Sequence, residues 1–339
     1  MRAESCGVKR LTAGAVGVVL AAGLLSSVGP TTVAAGANAG GSTRLSASPA
    51  ALPARPVTAT LAARRRVPAH YRVASFNVLG WNHTINGGRG FAGAMRRMVW
   101  TRQLLNRHHI DVAGFQELQV PQVRRMRELT GHRWGLYPGL RLHSRDSENS
   151  VGWRRSKFRF VAGTTVNIPY FHGHRRAMPI VLLRHRASGM MTYFSNFHNP
   201  AETSRYRNQG RWRVLATRIE IALHNQLYRR GIPRIMTGDM NERRTYFCRV
   251  TRNGTPLRAA RPGSTRVNGE CRPGRPPFVD WIFGSKRIQF HNYFEANGPL
   301  VRRTTDHPII MADVTVDPDR MPRGWARTRP APFVARVSH

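Results

Sequence analysis

The chain has 339 residues, 41% of them hydrophobic, which excludes a sequence too short or too polar to bury a core and allows one large domain or two small ones. It carries 54 basic and 17 acidic residues, a formal charge of +37, and its only lysines are Lys9, Lys157 and Lys286. Such a surface attracts polyanions over long range, although the arginine bias fits GC-rich coding equally well.

In chain order, MRAESCGVKR is basic and LTAGAVGVVLAAGLLSSVG is a short apolar run. Small residues follow, with AGA and ANA ending at Ala37 and Ala39. This is the layout of a secretory signal peptide over residues 1–39, too short and too weakly flanked for a membrane span. Residues 40–66 are Ala, Ser, Pro, Thr and Arg without periodicity, the composition of a flexible linker. One domain is expected over 67–317, followed by a loosely held Pro/Arg-rich basic tail over 318–339.

Within the domain, strands and helices alternate. YRVASFNVLG reads as a strand ending in an amide, and FAGAMRRMVWTRQLLNRHH as a helix whose apolar face is Phe91, Met95, Met98, Val99 and Leu105. IDVAGFQEL is a strand ending in an acid, and a short helix runs through QVRRMRELTG. NSVGWRRSKFRFVAGTTVNI reads as a strand hairpin, and MPIVLLRHRASGMMTYFSNFHN as two strands around Ala187-Ser188-Gly189. The amphipathic RWRVLATRIEIALHNQLYRRG then leads into the strand PRIMTGDMN. FVDWIFGS and TTDHPIIMADVTV each set polar residues beside apolar strands. Polar residues gathered at strand ends belong to catalysis more often than to packing.

Cys6 leaves with the signal peptide, so Cys248 and Cys271 remain in the mature chain. An even count in an exported protein favours a disulfide, which stabilises by about 2–4 kcal/mol. Two cysteines alone do not make a zinc site.

The motifs that carry chemistry are Asn77 in FNV, Glu117 in FQEL, His198 in SNFHNP, Asp239 and Asn241 in GDMN, Asp280 in VDWIF, and Asp306-His307 in TTDHPI. None is decisive alone. Together and in this order, from about Tyr71 to Val316, they resemble the endonuclease/exonuclease/phosphatase superfamily, which includes deoxyribonuclease I and bacterial sphingomyelinases. The resemblance implies an α+β fold, a four-layered α/β sandwich of two packed mixed sheets flanked by helices, with the site at one rim. It implies a divalent metal, magnesium first with manganese or calcium as alternatives, held by Glu117 with Asn77 and Asp306. Hydrolysis of a phosphate ester needs such a hard cation on oxygen ligands.

The resemblance further implies that His307, oriented by Asp280, and His198 form the acid–base pair on either side of the phosphate. Imidazole titrates near the operating pH, which suits that task. By the same resemblance Asp239 orients water or binds a second metal, and the Asn241 amide donates to a phosphate oxygen. Gly238 is expected to give a sharp turn and close substrate approach. The chain departs from deoxyribonuclease I at one point. There the second histidine has a carboxylate partner in the region matching NSVGWRRSKF, which here holds no acid. Asn196, two residues before His198, is the expected substitute.

The most favoured substrate is a nucleic-acid backbone, DNA or RNA, because neutralised phosphates release counterions. Runner-up readings are a sphingomyelinase-like enzyme, which needs an apolar hairpin for which NIPYFHGH is the one candidate, a phosphomonoesterase, and a polyanion-binding protein without catalysis. Membrane contact is expected only under the first of these, and no stable protein partner is expected.

Overall fold

The computed structural model describes residues 67–252, 255–275 and 278–322. The expected signal peptide and linker therefore lie outside the described residues, as do residues 323–339 of the expected tail. Residues 318–322 pack on the domain, with Met321 buried in the core.

The strands and helices run β1 (Ala69–Asn77), α1 (Ala94–Arg107), β2 (Val112–Gln116), α2 (Val120–Thr130), β3 (Trp134–Tyr137), β4 (Ser150–Arg154), β5 (Phe158–Pro169), β6 (Arg175–His185), β7 (Met191–His198) and α3 (Gly210–Arg229). They continue with β8 (Arg234–Asp239), α4 (Arg244–Val250), β9 (Leu257–Ala259), β10 (Ser264–Val267), β11 (Glu270–Pro273), β12 (Asp280–Ser285), β13 (Ile288–Ala296), α5 (Pro299–Thr304) and β14 (Ile309–Val316). Two six-stranded mixed sheets form, in the orders β13-β14-β1-β2-β4-β3 and β5-β6-β7-β8-β12-β9. Each has a parallel pair near its centre, β1 with β2 and β7 with β8.

Period-2 patterning builds the layers. In β1, Val73 enters the core between the sheets with Val112, Phe194, Ile235 and Ile310. Its neighbour Ala74 points outward and packs with Phe76 and Phe115 under α1, α2 and α5. On the other sheet, Met236, Phe283 and Ile180 face α3 and α4 through Leu223, Leu227 and Phe247. Each fully buried side chain of this size contributes about 1.5–3 kcal/mol. The result is the expected four-layered sandwich.

Three local readings are corrected. β4 and β5 are strands but not a hairpin: β4 pairs with β2 and β3, whereas β5 pairs with β6 in the other sheet. The chain crosses between sheets at residues 155–157, and local alternation carries no information on which sheet a strand joins. In α1, Met95 is exposed and Arg97 is fully buried. Arg97 donates to the carbonyls of Ala92 (2.9 Å), Val78 (2.6 Å) and Thr304 (3.0 Å) and to Thr84 Oγ1 (3.0 Å), so acceptors rather than apolarity decide the helix face. Gly238 lies within β8 rather than in a turn. A Cβ there would run into the Phe197 carbonyl of β7, so glycine serves close strand pairing. The Cys248–Cys271 disulfide is formed and ties the β10–β11 hairpin to α4.

Candidate active site

Strand register assembles the site. β7, β8 and β12 run side by side with His198 opposite Asp239 and Asp239 opposite Asp280. On the facing sheet Asn77 lies opposite Gln116, and Glu117 follows at a φ of 59°, ending β2. Polar residues stand beneath this rim. Gln116 Nε2 donates to Asn196 Oδ1 (2.5 Å) and Ser75 Oγ (3.2 Å), and Thr237 Oγ1 donates to the same Asn196 oxygen (3.1 Å). Gly114 lets the sheets close here, since a Cβ would collide with Thr237 and Asn196.

Asn77 joins the two halves. Its Nδ2 donates to Glu117 Oε1 (3.0 Å) and Asp239 Oδ2 (3.2 Å), and its Oδ1 accepts from the Leu79 N–H. It thus presents nitrogen, not oxygen, to the carboxylates and positions both of them. Glu117 Oε2 accepts from the Gly80 N–H (2.7 Å) and lies 3.3 Å from His83 Nε2. Burial pushes its pKa up, but His83, the charge of His198, Asn77 and Gly80 outweigh it and hold the carboxyl well below the usual range.

Asp239 stands between the histidines, its Oδ2 3.6 Å from both His198 Nε2 and His307 Nε2. Its Oδ1 accepts from the Asn241 N–H (3.0 Å). Asn241, at a φ of 49°, makes the turn and gives one amide hydrogen to the Asn199 carbonyl (2.8 Å). Among the described residues the other hydrogen meets no acceptor. His307 Nδ1 lies 2.9 Å from Asp280 Oδ2, the pairing expected from the sequence. Burial works against its charge, yet Asp280 and then Asp239 and Asp306 outweigh it and raise the His307 pKa to about 11. Thr305 delivers this histidine: its hydroxyl donates to the Asn77 carbonyl (2.7 Å) and accepts from the His307 N–H (3.3 Å).

Three expected roles come out differently. Asn77, expected to ligate the metal, turns its amide nitrogen to Glu117 and Asp239 and its oxygen to the Leu79 N–H. Asn196 is not the partner of His198, because its amide is bonded to the Phe115 carbonyl (2.7 Å), Gln116 and Thr237 between the sheets. Instead the ring of Tyr170 meets His198 edge-on at 5.7 Å, and Arg176, ion-paired with Glu148, lies over Tyr170 at 4.3 Å. Asp306 is ion-paired with Arg89 (3.0 Å), and no direct contact joins it to Asn77 or Glu117 among the described residues. Sequence reasoning missed His83, Tyr170, Arg176 and Thr305. The Thr305 of TTDHPI was the one with a usable signal, being adjacent to the motif.

Asp239, Asp280 and His307 each bring a ligand atom within 4.8 Å of the others. Asp280 is fully buried and already accepts from His307, so a hydrated hard cation fits poorly there. Glu117, with its side chain 21% exposed, is more open than Asp239 or Asp280.

No protein-family model matches the sequence, and no curated protein matches it. Solved structures do match. An endonuclease/exonuclease/phosphatase family protein from Bacteroides thetaiotaomicron aligns at a TM-score of 0.57 and 17% identity, over 75% of this chain and 98% of its own. A mannosyl-6-phosphatase from the same species aligns at 0.54 and 17%, over 72% and 99%. TDP2 from D. rerio, complexed with a single-strand DNA product, aligns at 0.52 and 15%, over 73% and 99%. The chain has the endonuclease/exonuclease/phosphatase fold.

Proposed function

We propose that this chain is a metal-dependent phosphodiesterase of the endonuclease/exonuclease/phosphatase superfamily, an exported nuclease acting on the backbone of DNA or RNA. The observation that carries the reading is the row His198–Asp239–Asp280 across three strands, closed by His307 and faced by Asn77 and Glu117. Such a row sets two imidazoles on either side of one carboxylate, which suits proton delivery and removal on opposite sides of a phosphorus atom. Asp280 orients the His307 ring through Nδ1 and leaves Nε2 for the substrate.

Glu117 would hold the cation, preferably magnesium, with Asp239 beside it through their shared partner Asn77. When bound, the cation neutralises phosphate oxygens and polarises the ester. Asn77 keeps Glu117 and Asp239 aligned. Asn241 donates its free amide hydrogen to a phosphate oxygen, a contact worth about 2.7–4 kcal/mol when aimed at developing charge. His307, held as the cation, stands as proton donor toward the leaving oxygen, and Asp239 with His198 orients the attacking water.

The nucleic-acid choice is supported by the +37 charge and by the DNA complex of the D. rerio neighbour. A phosphomonoester is the runner-up, supported by the mannosyl-6-phosphatase neighbour. Export is supported by the disulfide and by the signal-like N-terminus. The test is hydrolysis of bis(p-nitrophenyl) phosphate by the purified protein, followed by plasmid DNA, RNA, sphingomyelin and phosphomonoesters. The expected result is magnesium-dependent diester cleavage that EDTA abolishes and that falls steeply with salt on nucleic acid. Turnover of phosphomonoesters alone, or of sphingomyelin alone, would overturn it.

A further inference from the structure

Beside His198 the rings continue outward. Tyr170 touches His198, Phe171 packs on Tyr170 with centroids 4.4 Å apart, and Phe171 stacks on Tyr206 at 4.0 Å and 9°. Phe171 comes from the β5–β6 turn and Tyr206 from the β7–α3 connection, so two loops build one ledge. Neither ring is core: both are half-buried, with exposed His172 and Arg205 beside them. Arg205 lies over the Tyr206 ring at 5.4 Å, and His172 approaches it at 5.3 Å. Arg176 lies over the Tyr170 ring at 4.3 Å.

The ledge is fixed in advance. Gln209 Oε1 accepts from the His172 N–H (3.2 Å), and Glu202 accepts from the N–H groups of Asn208 and Gln209. Thr203 and Tyr206 close a turn between them. Gly173, at a φ of 82°, lets the ring of Trp212 seat against the turn, where a Cβ would come within 2.7 Å of it.

Resting on the phosphodiesterase reading, we propose that this ledge is a nucleobase-stacking subsite, which makes an unpaired strand the preferred substrate. Ring faces beside a catalytic histidine, interleaved with arginines, match the way single strands are held: bases on aromatics, phosphates on cations. A base displaces Arg205 from the ring of Tyr206, and the displaced guanidinium meets the adjoining phosphate. A duplex keeps its bases stacked on one another and cannot offer this face. A lipid surface is disfavoured because Phe171 is packed against Tyr206 rather than presented outward.

The test measures binding in EDTA, with no turnover. A fluorescein-labelled oligothymidylate is compared by anisotropy with an abasic phosphodiester chain of equal length and charge. The wild-type protein should favour the base-bearing strand about tenfold. Tyr206→Ala and Phe171→Ala should bring that ratio near one, whereas Tyr206→Phe, which keeps the ring, should preserve it. No preference in the wild type, or a preference that survives Tyr206→Ala, overturns the proposal. Competition by phosphatidylglycerol vesicles that is lost in Phe171→Ala overturns it in favour of a membrane. Failure of the phosphodiesterase reading would appear separately, as absent turnover of bis(p-nitrophenyl) phosphate, and leaves this ratio readable.

Discussion

The two ends of β8 solve the same problem in opposite ways. At one end Asp239 is buried among partners: Asn77, the Asn241 N–H and two histidines. Nearby Arg97 is equally buried and finds an acceptor on every side. At the other end Arg234 is fully buried: its Nε is bonded to His224 Nδ1 (2.9 Å) and its guanidinium lies over the Tyr228 ring (5.1 Å), but among the described residues neither terminal nitrogen has a hydrogen-bond acceptor. Burial first and Arg287 second push its pKa down to about 9. The lesson is that burial of charge is costly at both ends of β8, and at the rim it is offset by a network that also sets geometry.

The comparison is most sharply tested at the rim. His307→Ala and His198→Ala should each lower phosphodiester turnover by about 10²–10⁴-fold without unfolding the protein. Glu117→Gln should lose comparable activity but recover partly at high magnesium, which the histidine variants should not. Turnover near the wild-type rate in a folded His307→Ala protein would remove His307 from the mechanism.

Arg97→Met should cost about 3–5 kcal/mol in urea unfolding, because it orphans the Val78 and Thr304 carbonyls and leaves a bracket unmade. A loss below about 1 kcal/mol would mean that the network is ornamental to stability.

Glu220 gives the next effect. It is buried in α3, where burial raises its pKa to about 7 against the partial relief of the Tyr246 hydroxyl (2.5 Å). The folded state therefore holds the proton more tightly than the unfolded chain, with its ordinary value of 4.5. The sign follows: this contribution is complete below about pH 4.5 and is lost as pH rises toward 7, at up to roughly 1.4 kcal/mol per unit. Glu220→Gln should flatten that part of the stability–pH curve, as read from unfolding midpoints. An unchanged slope would show that the proton sits elsewhere.

The smallest change is expected at the far end. Arg234→Met should leave stability within about 1 kcal/mol of wild type or raise it, since a poorly paired buried cation is replaced by apolar volume. A loss as large as that of Arg97→Met would erase the difference between the two ends.

Local patterning made most strands, α1, α2 and α3 legible, because alternation and helical spacing are written in consecutive residues. The same holds for the polar groups at strand ends, from Asn77 to His307, since each sits where an apolar run starts or stops. Short elements such as α4, α5 and β9 were not legible, being too brief for a period to register. The sequence by itself thus determined the disulfide pair and, through the family resemblance, the four-layer class and the set of candidate site residues. Tertiary structure alone decided that β4 and β5 part into different sheets, and that Arg97 rather than Met95 faces inward. It also decided that Asn196 serves the sheet interface, and that Tyr170 and Arg176 stand beside His198. The physical reason is common to all of these: register, sheet membership and acceptor supply are set by residues tens to hundreds of positions away. Neither a period of two nor one of 3.6 can carry that information.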